Sequence, residues 1–262
     1  MSAPQRSTPP GSTPPGSAPQ RSAPQASTPP LTPAAGWFEE LRRDNDSVWG
    51  AIHSHPFVTG IGSGTLDVDR FRFFLSQDYP YLKEFCRVLA LAVSRGGRLD
   101  EMAFFASLLH ATLAVEMDLH RSYCADFGIS PEDLAATSLA PTAHAYTRHL
   151  LAIGALGTQA EIAVALAPCI VSYAEIGRNL ARAIPPGAPL LARWIEAYAS
   201  DPYQSIAREA IALVDRLAER IGPEERERCA GHFRIGSLYE WRFWEMAWTG
   251  ESWPIPGAER AR

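Results

Sequence analysis

Residues 158–183, TQAEIAVALAPCIVSYAEIGRNLARA, decide how the chain is read. Thr158 and Glu161 have the spacing of a capping box, in which each side chain satisfies an orphan backbone N–H at the start of a helix. Small and aliphatic residues then carry the helix to about Ala183, interrupted by Pro168 immediately before Cys169. A proline inside a helix deletes a backbone hydrogen bond and clashes with the preceding turn, at a cost of about 3 kcal/mol. Such a break re-aims the neighbouring side chains, and breaches of local rules gather at functional sites.

The same grammar extends in both directions. WFEELRRDNDSVWGAIHSH (37–55) reads as a first helix, followed by a Gly-rich turn, GIGSG (60–64). Thr65–Asp67 open a long second helix towards Val93, with apolar residues three and four apart and a second interior proline, Pro80. A third helix runs from about Asp100 to Phe127 and stops at Gly128; Ser130–Pro131 cap a short fourth. Pro141–Leu156 forms another, Asp201–Pro202 repeats the cap-plus-proline signal, and Gly222–Pro223 start a last helix ending near Thr249–Gly250. No period-2 run marks a strand. The expectation is one all-α domain, residues 36–262, built as an antiparallel helical bundle.

Residues 1–35 are different. Residues 2–31 form six pentads, SAPQR-STPPG-STPPG-SAPQR-SAPQA-STPPL, and the first 33 residues hold ten of the chain's 22 prolines. Proline fixes φ and lacks an N–H, and with no aromatic or β-branched apolar residue to bury the segment reads as a disordered, PPII-rich tail, solubilising or dispensable. Its PxxP-like spacing also allows a partner-binding role.

The net charge of −5 argues against a nucleic-acid footprint, which needs a basic face. Four widely spaced cysteines without a CxxC pair read as free thiols in a reducing compartment. No uninterrupted apolar stretch of membrane-spanning length and no secretory leader are read, so the expectation is a cytoplasmic protein.

Three groups of residues could carry chemistry. Cys169 has Ser172 and Tyr173 at i+3 and i+4; taken alone, a cysteine on an apolar helix reads as a small core residue, since an activated thiol needs a nearby base or positive field. Glu240 lies in SLYEWRFWEMAW (237–248) among Tyr239, Trp241, Phe243 and Trp244. Facing inward, its carboxyl would lose solvation and serve as an acid near neutral pH; facing water, it would be a surface residue. Glu116 and His120, four apart, share a helix face as a Glu–His hydrogen bond or as metal ligands. No phosphate-cradling loop is present, since GIGSG follows no strand.

Six blocks in order resemble the TenA / thiaminase II family: HPFVTGIGSGTLDVDRFRFFLSQDYPYL (55–82), AVEMDLHRSY (114–123), PTAHAYTRHL (141–150), LAPCIVSYAEIG (166–177), WIEAY (194–198) and SLYEWRFWEMAW. The resemblance covers roughly residues 37–250. It implies a haem-oxygenase-like helical bundle, a homotetramer, and no metal or other cofactor. It also implies hydrolysis of 4-amino-5-aminomethyl-2-methylpyrimidine to the hydroxymethyl compound, or cleavage of thiamin, in thiamin salvage. By motif, Asp78 would hold the amidine edge of the pyrimidine and Tyr81 would line its pocket. Cys169 would be the nucleophile, and Glu240 would hold the other ring nitrogen and move a proton. Tyr146 and Tyr198 would position thiol or ring, with Tyr173 and Phe243 as walls. Pro80, Ile170, Val171 and Ala174 depart from the residues expected in some members and leave the substrate more open than the reaction. Two other readings are a metal-dependent oxidase using Glu116 and His120, and a non-catalytic regulatory or binding protein.

Overall fold

A computed structural model describes residues 36–255, and the pentad tail lies outside them. The described residues form helices and connecting turns, without a strand: α1 (Trp37–Asp44), α2 (Asp46–His53), α3 (Pro56–Ser63), α4 (Val68–Ser94), α5 (Leu99–Ala111), α6 (Met117–Asp126), α7 (Pro131–Ala136), α8 (Pro141–Leu156), α9 (Gln159–Leu180), α10 (Pro189–Ala199), α11 (Asp201–Ala218) and α12 (Pro223–Thr249). A π turn, Thr112–Glu116, joins α5 to α6, and a 3-10 turn, Ala181–Ala183, ends α9.

The caps read from sequence are present. Thr158 accepts from the Glu161 N–H while Glu161 accepts from the Thr158 N–H, closing the box at the head of α9. Ser130 and Asp133 do the same for α7, with Pro131 in its first turn. Ser200, not Asp201, caps α11. Pro80 and Pro168 both lie inside helices.

Helix α9 is the axis of the bundle, packed by α2, α4, α8, α10, α11 and α12. With its 3-10 extension it is long and apolar enough to cross a membrane by length and composition, though Glu161, Glu175 and Arg178 interrupt its apolar run. It is almost wholly buried inside the domain, as a core helix. Aromatic side chains fill the space around it: Trp244 packs on Phe74, Phe57 and Tyr173, and Trp49 stacks on Phe233. The Trp49 indole N–H donates to Ser237 Oγ at 3.0 Å, so the buried ring keeps a partner.

Four local readings change. The first helix is two, broken at Asn45, whose amide turns back to the Leu41 carbonyl at 2.8 Å. GIGSG is no simple turn: it ends α3, which buries Phe57, Val58 and Ile61, and only Gly64 adopts the left-handed closing conformation. There the burial of apolar side chains outweighs the low helix propensity of glycine. The third helix is interrupted by the π turn, which rotates α6 relative to α5. Finally, α10 is a separate helix between the Pro185–Pro186 break and α11, and it carries the WIEAY block.

Close approach of α10 to α9 needs Gly177. A Cβ there would lie 2.6 Å from the Tyr198 carbonyl carbon and 2.8 Å from the Ala199 nitrogen, which are backbone atoms. Gly177→Ala should therefore destabilise the protein by about 1–3 kcal/mol, the usual cost of overpacking. In a thermal melt each kcal/mol moves Tm by roughly 2–4 °C for a domain of this size. Gly231→Ala, in α12 with open space around it, should instead raise Tm through helix propensity, by up to about 1 kcal/mol. Equal melting temperatures for the two variants would contradict the packing described.

Candidate active site

Two features bring α9 and α12 together at one point. Pro168 supplies no N–H to the α9 ladder, and Gly236 on α12 packs against it. A Cβ at Gly236 would lie 3.1 Å from the Ala165 carbonyl oxygen and 3.2 Å from Pro168 Cγ. Glu240 follows one turn later on α12, and Cys169 follows Pro168 on α9. The contact therefore sets a carboxyl beside a thiol.

They face a narrow cavity of about 30 Å³. Each of the eight residues singled out from sequence lines it: Asp78 and Tyr81 from α4, Tyr146 from α8, Cys169 and Tyr173 from α9, Tyr198 from α10, Glu240 and Phe243 from α12. Leu82 and Tyr203 complete the lining and had escaped notice. Leu82 adjoins Tyr81 with no polar atom to draw attention. Tyr203 stands three residues after the Ser200 cap, where the Asp201–Pro202 signal is read as a helix start only.

The walls are aromatic. Tyr81 meets Tyr146 and Phe243 with ring centroids 5.2 and 5.4 Å apart, and Tyr173 meets Tyr198 at 5.0 Å. On its outer side Tyr146 stacks on Tyr239 at 4.9 Å. Tyr198 is held by Gln204, whose amide donates to the Tyr198 and Ala174 carbonyls at 2.9 and 2.8 Å. Cavities lined this way, with a few convergent polar groups, suit flat ligands.

Glu240 is 2% exposed, so its carboxyl faces inward. Burial, the largest influence, raises its pKa to about 8, and the Asp78 charge acts in the same direction. Hydrogen bonds from Tyr146 and Cys169 oppose the rise without cancelling it. The Tyr146 hydroxyl donates to Glu240 Oε1 at 2.5 Å. Tyr81, Tyr146 and Tyr173 are all buried, which lifts their own pKa values well above the ordinary phenol and keeps them neutral donors. Cys169 is half-buried and not in a disulfide; its thiol also acts on the Tyr81 hydroxyl.

Across the cavity, Asp78 Oδ2 stands 3.3 Å from His120 Nε2 of α6, and His120 Nδ1 lies 3.4 Å from Cys124 Sγ. The described partners of His120 are Asp78 and Cys124. The Glu116 side chain lies outside the described residues. Among the described residues no three His, Cys, Asp or Glu side chains are grouped as a metal-ligand set. Ile170, Val171 and Ala174 are buried in α9 away from the cavity lining.

This cavity sits in a chain with clear relatives. Residues 42–250 match the TENA/THI-4/PQQC family model. An aminopyrimidine aminohydrolase of Halalkalibacterium halodurans is 40% identical over 212 residues, spanning 80% of this chain and 94% of that protein. One of Bacillus subtilis is 37% identical over 215 residues, spanning 82% and 91%. Among solved structures, a TenA family transcription regulator from Silicibacter sp. superposes with a TM-score of 0.76 at 35% identity, covering 81% of this chain and 96% of that one. A heme oxygenase-like domain of unknown function from Shewanella denitrificans superposes at 0.64 with 16% identity, covering 81% and 92%, which speaks for the fold alone. With the match spanning most of its length and its bundle of the haem-oxygenase-like type, the chain belongs to the TENA/THI-4/PQQC family.

Proposed function

We propose that this protein is an aminopyrimidine aminohydrolase of thiamin salvage, with Cys169 as nucleophile and Glu240 as acid–base partner. One observation carries the reading: a half-buried thiol and a carboxyl with a pKa of about 8 face the same aromatic slot, opposite a second carboxyl. The relatives named aminopyrimidine aminohydrolase supply the substrate class.

An aminomethylpyrimidine fits this arrangement group by group. Asp78 accepts from the exocyclic amine at the amidine edge, and Glu240 lies at another ring nitrogen. Tyr173 and Phe243 form walls, while Tyr81, Tyr146 and Tyr198 direct hydroxyls at thiol, carboxyl or ring. The Cys169 sulfur bonds to a ring carbon while Glu240 protonates the ring nitrogen that receives the electron pair and takes up the thiol proton in return. The pair then returns through the ring to expel the amine from the methylene carbon, the amine leaving protonated. Water adds at that carbon and loses a proton, the sulfur–carbon bond breaks, and the hydroxymethyl product leaves. The net reaction consumes one water and releases one ammonia. Covalent addition splits one difficult displacement into easier steps, and an acid with a pKa near the working pH is matched to its task. Thiamin presents the same pyrimidine with a thiazolium leaving group. The reading also includes a cytoplasmic homotetramer whose mass is measurable by light scattering; the four cysteines are outside any disulfide, in keeping with a reducing compartment.

Incubation with aminomethylpyrimidine and with thiamin, followed by mass spectrometry, should reveal turnover of at least one. Cys169→Ser should lose on the order of 10³-fold or more in kcat while melting as a folded protein; full activity in that variant would end the nucleophile assignment.

Glu240→Gln should lose about 10²–10⁴-fold in kcat. In the wild type, activity should decline as pH rises through about 8, where Glu240 loses its proton. The folded state also holds this proton more tightly than the unfolded chain does. Its contribution to stability therefore diminishes as pH rises from the ordinary carboxylate range towards about 8. Melting curves between pH 5 and pH 8, taken as approximate bounds of that window, should show a shallower decline in Glu240→Gln than in wild type. Identical slopes would mean that Glu240 is not the buried acid.

A further inference from the structure

A Cys–His–Asp chain crosses from α6 to α4: Cys124 Sγ to His120 Nδ1 at 3.4 Å, then His120 Nε2 to Asp78 Oδ2 at 3.3 Å. In a nucleophilic triad the cysteine would face the substrate. Here Cys124 is fully buried and only Asp78 lines the cavity. The working end of the chain is therefore the aspartate, with histidine behind it and the thiol anchoring the far side of the imidazole.

We propose that His120 is a positioning residue for Asp78. Its Nε2 engages one carboxylate oxygen and leaves the other to receive the donor edge of a heteroaromatic amidine. The inference rests on the aminopyrimidine reading for the identity of that edge, and on the geometry alone for the pair itself.

Three observations support it. First, the Asp78–His120 contact has the approach of an ion pair without the alignment of a hydrogen bond. A carboxylate so held keeps freedom to turn towards a ligand. Second, the π turn at Thr112–Glu116 immediately precedes α6. An extra residue in the turn rotates the following helix by roughly 100°, and π turns recur at functional sites for that reason. It sets the register in which His120 and Cys124 both face α4. Third, His120 remains a cation where it stands. Burial acts to lower its pKa, but Asp78 and Cys124 together outweigh burial and raise it to about 10. The groups facing the pair are Tyr79 on α4, Tyr173 and Cys169 on α9, and Glu240 on α12, and none brings a second positive charge. His120 is thus a cation behind Asp78, outside the cavity lining. It offsets a buried charge that would otherwise lie unpaired beside Glu240, and an unpaired buried charge is strongly unfavourable.

Steady-state kinetics on aminomethylpyrimidine with His120→Ala and His120→Gln separate positioning from mere packing. Glutamine keeps an N–H donor near the Nε2 position without the charge. Alanine should raise KM by about 10–100-fold, the effect of misplacing a charge-assisted hydrogen bond, with kcat changed less than about fivefold; glutamine should recover most of the loss. A KM within about threefold of wild type in both variants, or a loss confined to kcat, overturns the proposal. A substrate-free measurement keeps the question separate from the aminopyrimidine reading. Imidazole nitrogen NMR should find His120 doubly protonated at pH 8 in wild type and neutral in Asp78→Asn. A neutral His120 in the wild type overturns the proposal even if turnover is normal. A cationic His120 in an enzyme that ignores aminopyrimidines upholds the pair and removes the substrate instead.

Discussion

A carboxyl group in the middle of an apolar helical bundle must be neutral or paired, and the cavity of this protein contains one of each kind. Glu240 has no cation beside it. It is hydrogen-bonded to neutral partners, and burial keeps its proton to about pH 8. Asp78 has an imidazolium behind it. The two side chains carry the same functional group, yet their surroundings assign them different work. Environments that separate a pair of like acids in this way are a recurring means of running acid and base chemistry in one site. The aromatic walls, the Gly236–Pro168 contact and the register of α6 all serve to hold that difference.

The packing explains why the arrangement is stable. The Gly236–Pro168 contact brings α12 close to α9 at the level where Cys169 and Glu240 face each other. At the other end of α9, Gly177 admits the backbone of α10, which delivers Tyr198 to the cavity. Between these points α9 is enclosed by side chains, so the cysteine rests on a helix buried along most of its length. A proline break inside such a helix is tolerable because its neighbours fill the gap.

Much of this was legible in one dimension. Caps at Thr158–Glu161 and Ser130–Asp133, and the interior prolines, are local chemistry, and local chemistry is written in adjacent residues. The inward aim of Glu240 was not, since aromatic neighbours at i+3 and i+4 suit either face of α12. It took the family resemblance to gather Asp78, Tyr146, Cys169 and Glu240, because their separations in sequence carry no signal. The Asp78–His120 pair eluded both routes. Spacing offered Glu116 as the nearer partner, and the π turn that sets the register of α6 has no proline or glycine to announce it. Helix α3 was hidden for the opposite reason: three glycines within GIGSG speak for a turn, and only burial of Phe57, Val58 and Ile61 overrules them.

The helices that carry Asp78 and Glu240 lie far along the chain from α8 and α9, and the Tyr146–Glu240 hydrogen bond alone closes a loop of 94 residues. Contacts of that range form late, since the entropy of closing long loops is lost before they can reward it. Helix starts, by contrast, are set locally: Asp67 and Thr158 cap α4 and α9, and α8 and α12 each have a proline in the first turn. During refolding, helicity can therefore recover fully while the cavity does not yet exist. Circular dichroism would count such a chain as folded, and the thiol's chemistry would not. For this protein, the return of the site is the stricter criterion of a finished fold.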